Sequence, residues 1–188
     1  MTTNTVVNGV DVDQLVETVG AIQAEPEIAN FRFRAHNEWI NGGHSKTTIQ
    51  SFYGAGQEDE SRNEPIVLES DEPPVLLGEG KGANAVESVL HALASCLSVG
   101  FAYNAGAKGT QVDGMEMDLE GDLDLHGFLG LSEDTRPGYD NIRVTCKVST
   151  DASEDQLAEL SDHVQKTSPV LDLLRNPVPT SVHLEKMA

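Results

Sequence analysis

Cys96 sits at the midpoint of an apolar run from Asn84 to Gly106, NAVESVLHALASCLSVGFAYNAG, in which Glu87 and His91 are the only other readily titratable groups. A near-continuous hydrophobic helix has to be packed on several sides, so this run is read as the spine of the fold. A thiol in such a place is either inert filling or the working atom of the molecule. Work by a thiol means attack by its thiolate, and a free cysteine, titrating near about pH 8.5, holds little of that form at neutral pH. Burial and a surplus of acid both oppose ionisation. The helix dipole gives little help at mid-helix, because its field fades within the first turn. A local cation is therefore required. The candidates are Arg32 and Arg34 in one strand-like run, and His44 and Lys46 just beyond a pair of glycines. The same residues read equally as ordinary surface charges.

The other reactive side chains are weaker candidates. His91 follows Glu87 by one turn, within hydrogen-bonding reach, and reads as a satisfied core histidine. It lies about 140° round the helix from Cys96, which disfavours a Cys-His hydrolytic pair. Cys146 alternates with Ile142, Val144 and Val148 on one strand face and reads as core filling. It would pair with Cys96 only if the two Cα atoms came within about 7 Å. The remaining histidines are scattered without ligand spacing and no Cys-x-x-Cys is present, so neither a metal nor another cofactor is expected.

The 188 residues suit one domain with a short extension. Twelve basic against 31 acidic residues give a net charge of −19, which argues against nucleic acid or an anionic membrane as partner. Glu87, His91 and several Ser, Gly and Asn interrupt the apolar run, so it is not read as a membrane span. The first residues lack the basic-then-apolar pattern of a secretory signal, which makes the cytoplasm the expected compartment.

Around the spine, the spacing predicts a helix over 10–24 with Asp11 and Gln14 placed as a capping box. Strands are predicted over 30–40 and 45–53, joined at Asn41, Gly42 and Gly43, and over 65–69. Residues 56–64 read as a solvated loop or hairpin tip, and 70–82, rich in Pro and Gly, as irregular. Alternation through Met115, Met117, Leu119, Leu123 and Leu125, and again through 142–148, predicts two more strands flanking a surface loop over 127–140. Ser153 and Gln156 cap a helix carrying Leu157, Leu160 and Val164; Ser168 before Pro169 opens a short turn to Leu174. A last strand is predicted over 180–184. The fold class is α+β with antiparallel pairing, and covering the central helix calls for a second copy of the chain.

The segment GANAVESVLHALASCL from Gly82 to Leu97 resembles the central-helix motif of the OsmC/Ohr-like family, the osmotically inducible and organic hydroperoxide resistance proteins. The paired glycines at Gly42 and Gly43, the strands around Cys146 and the Ser-Pro-Val at Ser168 to Val170 extend the resemblance from about Asn30 to the C-terminus. Residues 1–28 are then an N-terminal helical extension and 29–188 the OsmC-like domain. The resemblance implies an intertwined homodimer with an antiparallel sheet and a buried central helix. It also implies reduction of organic or hydrogen peroxides by a thiol.

Within that resemblance Cys96 matches the reactive cysteine and Glu87 the acidic residue that orients a cation. The family has an arginine near the hairpin. Here the stretch reads GGHSKTT, leaving Arg34, His44 or Lys46 for that part. Glu87 is nine residues before Cys96, half a turn out of phase and roughly 13 Å away along a straight helix. It serves the thiol only from a partner's helix, or otherwise simply complements the helix dipole. The family resolves the oxidised thiol with a second cysteine, and that position is Ser168, which cannot form a disulfide. Two readings follow. One is a single-cysteine, thiol-dependent peroxidase with an external thiol as reductant. The other is a non-enzymatic, stress-associated or small-molecule-binding dimer holding an apolar ligand.

Overall fold

The computed structural model describes residues 5–187. The chain opens with a hairpin, β1 (Val6–Val7) and β2 (Val10–Asp11), turned by Asn8 and Gly9, both at positive φ. Two such residues suit the twist of a two-residue hairpin, a signal present in the sequence as Asn-Gly just before the predicted helix. Helix α1 (Val12–Ala24) therefore starts two residues later than predicted, with Asp11 accepting from the Gln14 N–H at 3.0 Å. Asn8 then ties the hairpin to the far end of the central helix, donating to the Thr110 carbonyl at 2.9 Å and accepting from the Val112 N–H at 2.8 Å.

A three-stranded antiparallel sheet follows, in the order β3 (His36–Asn41), β4 (His44–Ile49), β7 (Ile66–Ser70). Gly42, at φ +55°, makes the β3–β4 turn where the sequence put it. The strands are shorter than predicted. Residues 30–35 join only through one bridge, Arg32 to Tyr53, and the second predicted strand breaks after Ile49. Its remainder, β5 (Phe52–Gly54), pairs instead with β6 (Gln57–Asp59), inside the stretch expected to be a loop or hairpin tip. Phe31 and Phe33 do lie on one side, but that side is open and they stack on each other and on Phe52.

Helix α2 (Ala85–Ala107) is the predicted spine, continuous over 23 residues. Its capping box is complete: Asn84 Oδ1 accepts from the Glu87 N–H and Glu87 Oε2 accepts from the Asn84 N–H, each at 2.9 Å. By length and composition α2 is also apolar enough to cross a membrane, with a mean hydropathy of 1.5 over its best window. The polar residues read above as interruptions are too few to prevent this. One stripe, Leu93, Leu97, Phe101 and Ala105, is buried against helix α4 (Glu154–Thr167) and the hairpin of β8 (Gly114–Asp122) and β9 (Asn141–Ser149). Gly100 lets α4 approach, since a Cβ there would come 2.9 Å from Val164 Cγ1.

β8 and β9 pair along their whole length, with Met115, Met117 and Leu119 opposite Val148, Cys146 and Val144. β8 stops at Asp122, so Leu123 and Leu125 leave the sheet, and Leu125 starts a one-turn helix, α3 (Leu125–Phe128), which spans the end of the predicted strand and the start of the predicted loop. α4 carries the predicted box, Ser153 with Gln156, and α5 (Pro169–Arg175) the predicted Ser168 cap. The predicted strand over 180–184 is absent. A strand needs a neighbour to bond to, and Val182 and Leu184 extend with 94% of their surfaces open.

The stability of this arrangement concentrates on a few side chains, of which Leu93 is 1% exposed. Leu93→Ala is expected to lower unfolding free energy by about 2–5 kcal/mol, the range for a leucine deleted from a close-packed core. Urea denaturation measures it, and a loss below about 1 kcal/mol would mean that α2 is not the core element described.

Candidate functional site

Cys96 lies on the flank of α2, about 100° round from the buried stripe, and is half-buried. The junction between α4 and α5 reaches it. Ser168, 5% exposed, places its Oγ 3.2 Å from the Cys96 sulfur. The same oxygen accepts the Leu171 N–H at 3.3 Å as the N-cap of α5. A serine hydroxyl has one hydrogen to donate. With an oxygen lone pair engaged by Leu171, that hydrogen is free for the sulfur, and once the sulfur is a thiolate it can only accept. Ser168, which the resemblance sets at the resolving position, is thus in contact with Cys96.

The other predicted site residues are elsewhere in the chain. Glu87 is occupied by the capping box at the first turn of α2, and because the helix runs unbroken it stays far from Cys96 of its own chain. It faces Tyr139, whose phenol is pushed up by burial and by the Glu87 charge while its hydroxyl donates to the Val86 carbonyl at 3.0 Å. Arg34 forms a two-pronged pair with Glu58, both bonds 2.7 Å, at the surface. This hydrogen bond raises the guanidinium's pKa and lowers the carboxyl's. His44 Nε2 meets Glu69 Oε2 at 3.2 Å, and Lys46 lies in register between Glu38 and Glu69. Among the described residues of one chain, the Cys96 sulfur is hydrogen-bonded to Ser168 and to none of these cations. Their sheet is joined to α2 by the segment 70–84.

That connecting segment is more ordered than its composition suggested. Asp71, 2% exposed, accepts the backbone N–H groups of Glu72 at 2.8 Å, Glu79 at 3.0 Å and Lys81 at 3.2 Å. Burial works against its charge, but the bonds from Lys81, Glu79 and Glu72, with His44 nearby, hold the carboxyl below its ordinary range. A Cβ on Gly43 would come 3.1 Å from Asp71 Oδ1, so the hairpin turn packs directly on this carboxylate. Asp71 therefore braces the hairpin bearing His44 and Lys46 against the entry to α2. Sequence reasoning passed over it, because an aspartate just ahead of two prolines reads as a turn residue and its three donors come from up to ten residues away.

Cys146 takes a different place from Cys96. It is half-buried, its thiol is pushed up by burial, and it lines a cavity of about 660 Å³ enclosed by α2, β9, α4 and α5. Neither Cys96 nor Ser168 lines that cavity. Among the described residues no three His, Cys, Asp or Glu gather as metal ligands.

The family described as OsmC-like protein matches residues 78–183, more than half of the chain. Solved structures agree in fold. An OsmC-like protein from Mycoplasma pneumoniae aligns with a TM-score of 0.57 at 18% identity, covering 78% of this chain and 89% of that one. A structure from Legionella pneumophila, described as an organic hydroperoxide resistance protein OsmC, aligns with a TM-score of 0.50 at 15% identity, covering 76% and 88%. None of the curated proteins matches the chain.

The Asp71 brace has a pH signature. A carboxyl whose pKa falls on folding stabilises the native state above its unfolded value, about 3.9, and loses that contribution as pH drops through the lower folded value. Asp71→Asn keeps the shape but turns one acceptor into a donor facing N–H groups. The variant is expected to melt several degrees below wild type at pH 7, with the gap closing below about pH 4. A gap that stays constant from pH 7 to pH 3 would show that the charge does not brace the segment.

Proposed function

Because this chain belongs to the OsmC-like family, we propose that it is a thiol-dependent peroxidase working through Cys96 alone, with an external thiol as reductant. The observation that carries the reading is the 3.2 Å contact between the Cys96 sulfur and the buried Ser168 hydroxyl. The Cys96 thiolate, with Ser168 donating to it, attacks the distal oxygen of ROOH. The O–O bond breaks, the sulfur becomes a sulfenic acid, and the alkoxide leaves and takes a proton to give ROH. No second sulfur stands at Ser168 to condense with the sulfenic acid. A small thiol therefore attacks it, releasing water and leaving a mixed disulfide. A second thiol then restores Cys96 and departs as a disulfide.

The cation comes from a second copy of the chain on this reading. Two open surfaces of one chain support it. On one face of the sheet, Trp39, Ile66 and Leu68 align by register and stay exposed, Trp39 to 71%. On α2, opposite the buried stripe, Ser88, Ala92, Ser95, Val99 and Tyr103 form an open row, Val99 exposed to 54%. A helix apolar on both sides needs cover on both. In such a homodimer the partner's Glu87, with the partner's Arg34, His44 or Lys46, would hold and polarise the peroxide. The compartment is the cytoplasm, whose thiol pool keeps both cysteines reduced and supplies the reductant.

One observation favours the rival, non-enzymatic reading: among the described residues of one chain, no cation is bonded to the sulfur. Trapping separates the two. Substoichiometric peroxide followed by dimedone is expected to label Cys96 selectively, and Cys96→Ser is expected to lower peroxide consumption with dithiothreitol at least 100-fold. Equal rates in the variant, or slow labelling of both cysteines alike, would leave Cys96 as packing. A sedimentation mass equal to the 20.2 kDa chain would remove the partner's cation.

Ser168→Cys offers a second check, since it brings a second sulfur to the position now 3.2 Å from Cys96. Peroxide is expected to close a disulfide between Cys96 and the introduced sulfur, abolish dimedone labelling and make turnover dependent on a disulfide reductant. Persistent labelling with both thiols free would show that residue 168 does not face the oxidised sulfur in solution.

A further inference from the structure

The cavity beside Cys146 has two kinds of wall. Val86, Val89, Phe101, Ile142 and Val144 supply an apolar surface from α2 and β9. Opposite runs a polar strip along α4 and α5: Arg175 Nη2 donates to Gln165 Oε1 at 3.3 Å, and Gln165 Nε2 donates to Ser161 Oγ at 3.2 Å. Arg136 contributes from the loop after α3. At about 660 Å³ the space is within the range of small-molecule sites.

Neither arginine is paired with a carboxylate among the described residues. Among the described residues, five of the chain's 12 basic side chains pair with a carboxylate. Arg34, Arg143, Lys81, Lys108 and Lys147 all do so. Arg175 meets only the neutral amide of Gln165, and the Arg136 guanidinium has no hydrogen-bond or ion-pair partner among the described residues. Asp140 also lines the cavity, yet pairs with neither. Both arginines are exposed, which sets them where the cavity meets solvent. Two guanidinium groups without a carboxylate, at the opening of an apolar space, suit one anionic head and one hydrocarbon body.

We infer that this cavity binds an amphipathic monoanion, of the class of a medium-chain carboxylate, with its head on Arg136 and Arg175 and its chain against α2 and β9. The site lies within one chain and does not involve Cys96 or Ser168. It stands whether or not Cys96 turns over peroxide. Cys146 on its wall serves as a reporter.

Calorimetric titration of the Cys96→Ser protein with decanoate tests the inference. One decanoate is expected to bind per chain, while decyltrimethylammonium, with the head charge reversed, does not bind. Arg136→Gln with Arg175→Gln is expected to weaken decanoate at least tenfold and leave 1-decanol unchanged, and Val144→Trp to block both. Decanoate is expected to slow bimane labelling of Cys146 at alkaline pH at least threefold in the same protein. Equal binding of the cationic surfactant, indifference to the double arginine variant, or binding without protection of Cys146 would each overturn the assignment. Failure here leaves the peroxide measurements untouched, and loss of peroxide turnover leaves decanoate binding in place.

Discussion

Everything in this structure is arranged around the need to cover a helix that is apolar on nearly every side. Burying one stripe of α2 against α4 and the β8–β9 hairpin removes Leu93, Leu97, Phe101 and Ala105 from water. The opposite row, through Ala92, Ser95, Val99 and Tyr103, is left open by the single chain. The three-stranded sheet has the matching problem, with Trp39, Ile66 and Leu68 on one uncovered face. Neither surface covers the other within one chain, because sheet and helix are held apart by the braced segment 70–84. Hydrophobic cover is non-directional, but it cannot be postponed, and its absence is the strongest physical argument for a second copy.

The chemistry depends on the same helix in a different way. A thiol at mid-helix receives almost nothing from the helix's own electrostatics, so its surroundings must come from other elements. One such element is present, the α4–α5 junction, where a single oxygen caps a helix and touches the sulfur. A cap is a stringent locator, since its oxygen has to sit over specific N–H groups, and Ser168 is consequently held to the sulfur by backbone geometry. Replacing cysteine by serine at this point exchanges a covalent option for a hydrogen bond. The fold is kept and, on the proposed reading, the fate of an oxidised thiol is altered.

Reading the sequence recovered what local rules govern. The spine over Asn84 to Gly106, the Asn84–Glu87 and Ser153–Gln156 capping boxes, the Gly42 turn, the alternation through Met115, Met117 and Leu119, and the Ser168 cap each depend on residues within a few positions of one another. The errors share an origin. Residues 30–35, the break after Ile49, the exit of Leu123 and Leu125 from the sheet, and the missing strand over 180–184 all concern whether a β-capable segment has a neighbour, which no local pattern encodes. The Asn8–Gly9 hairpin was a readable signal, hidden by the helical spacing that begins beside it.

For the site the division is similar. Residue types and spacing by themselves determined that the chain carries one thiol on a long apolar helix and that Glu87 cannot reach it along that helix; the family resemblance added that position 168 bears a hydroxyl where a resolving sulfur is expected. Tertiary structure alone decided that this hydroxyl lies against the thiol, that Asp71 is a buried brace, that Arg34 is spent on Glu58, and that Cys146 faces a cavity edged by two arginines no carboxylate neutralises. The physical reason is range. Caps, turns and helical phase act over a few residues, whereas burial and ion pairing are settled by groups that folding brings together from distant parts of the chain.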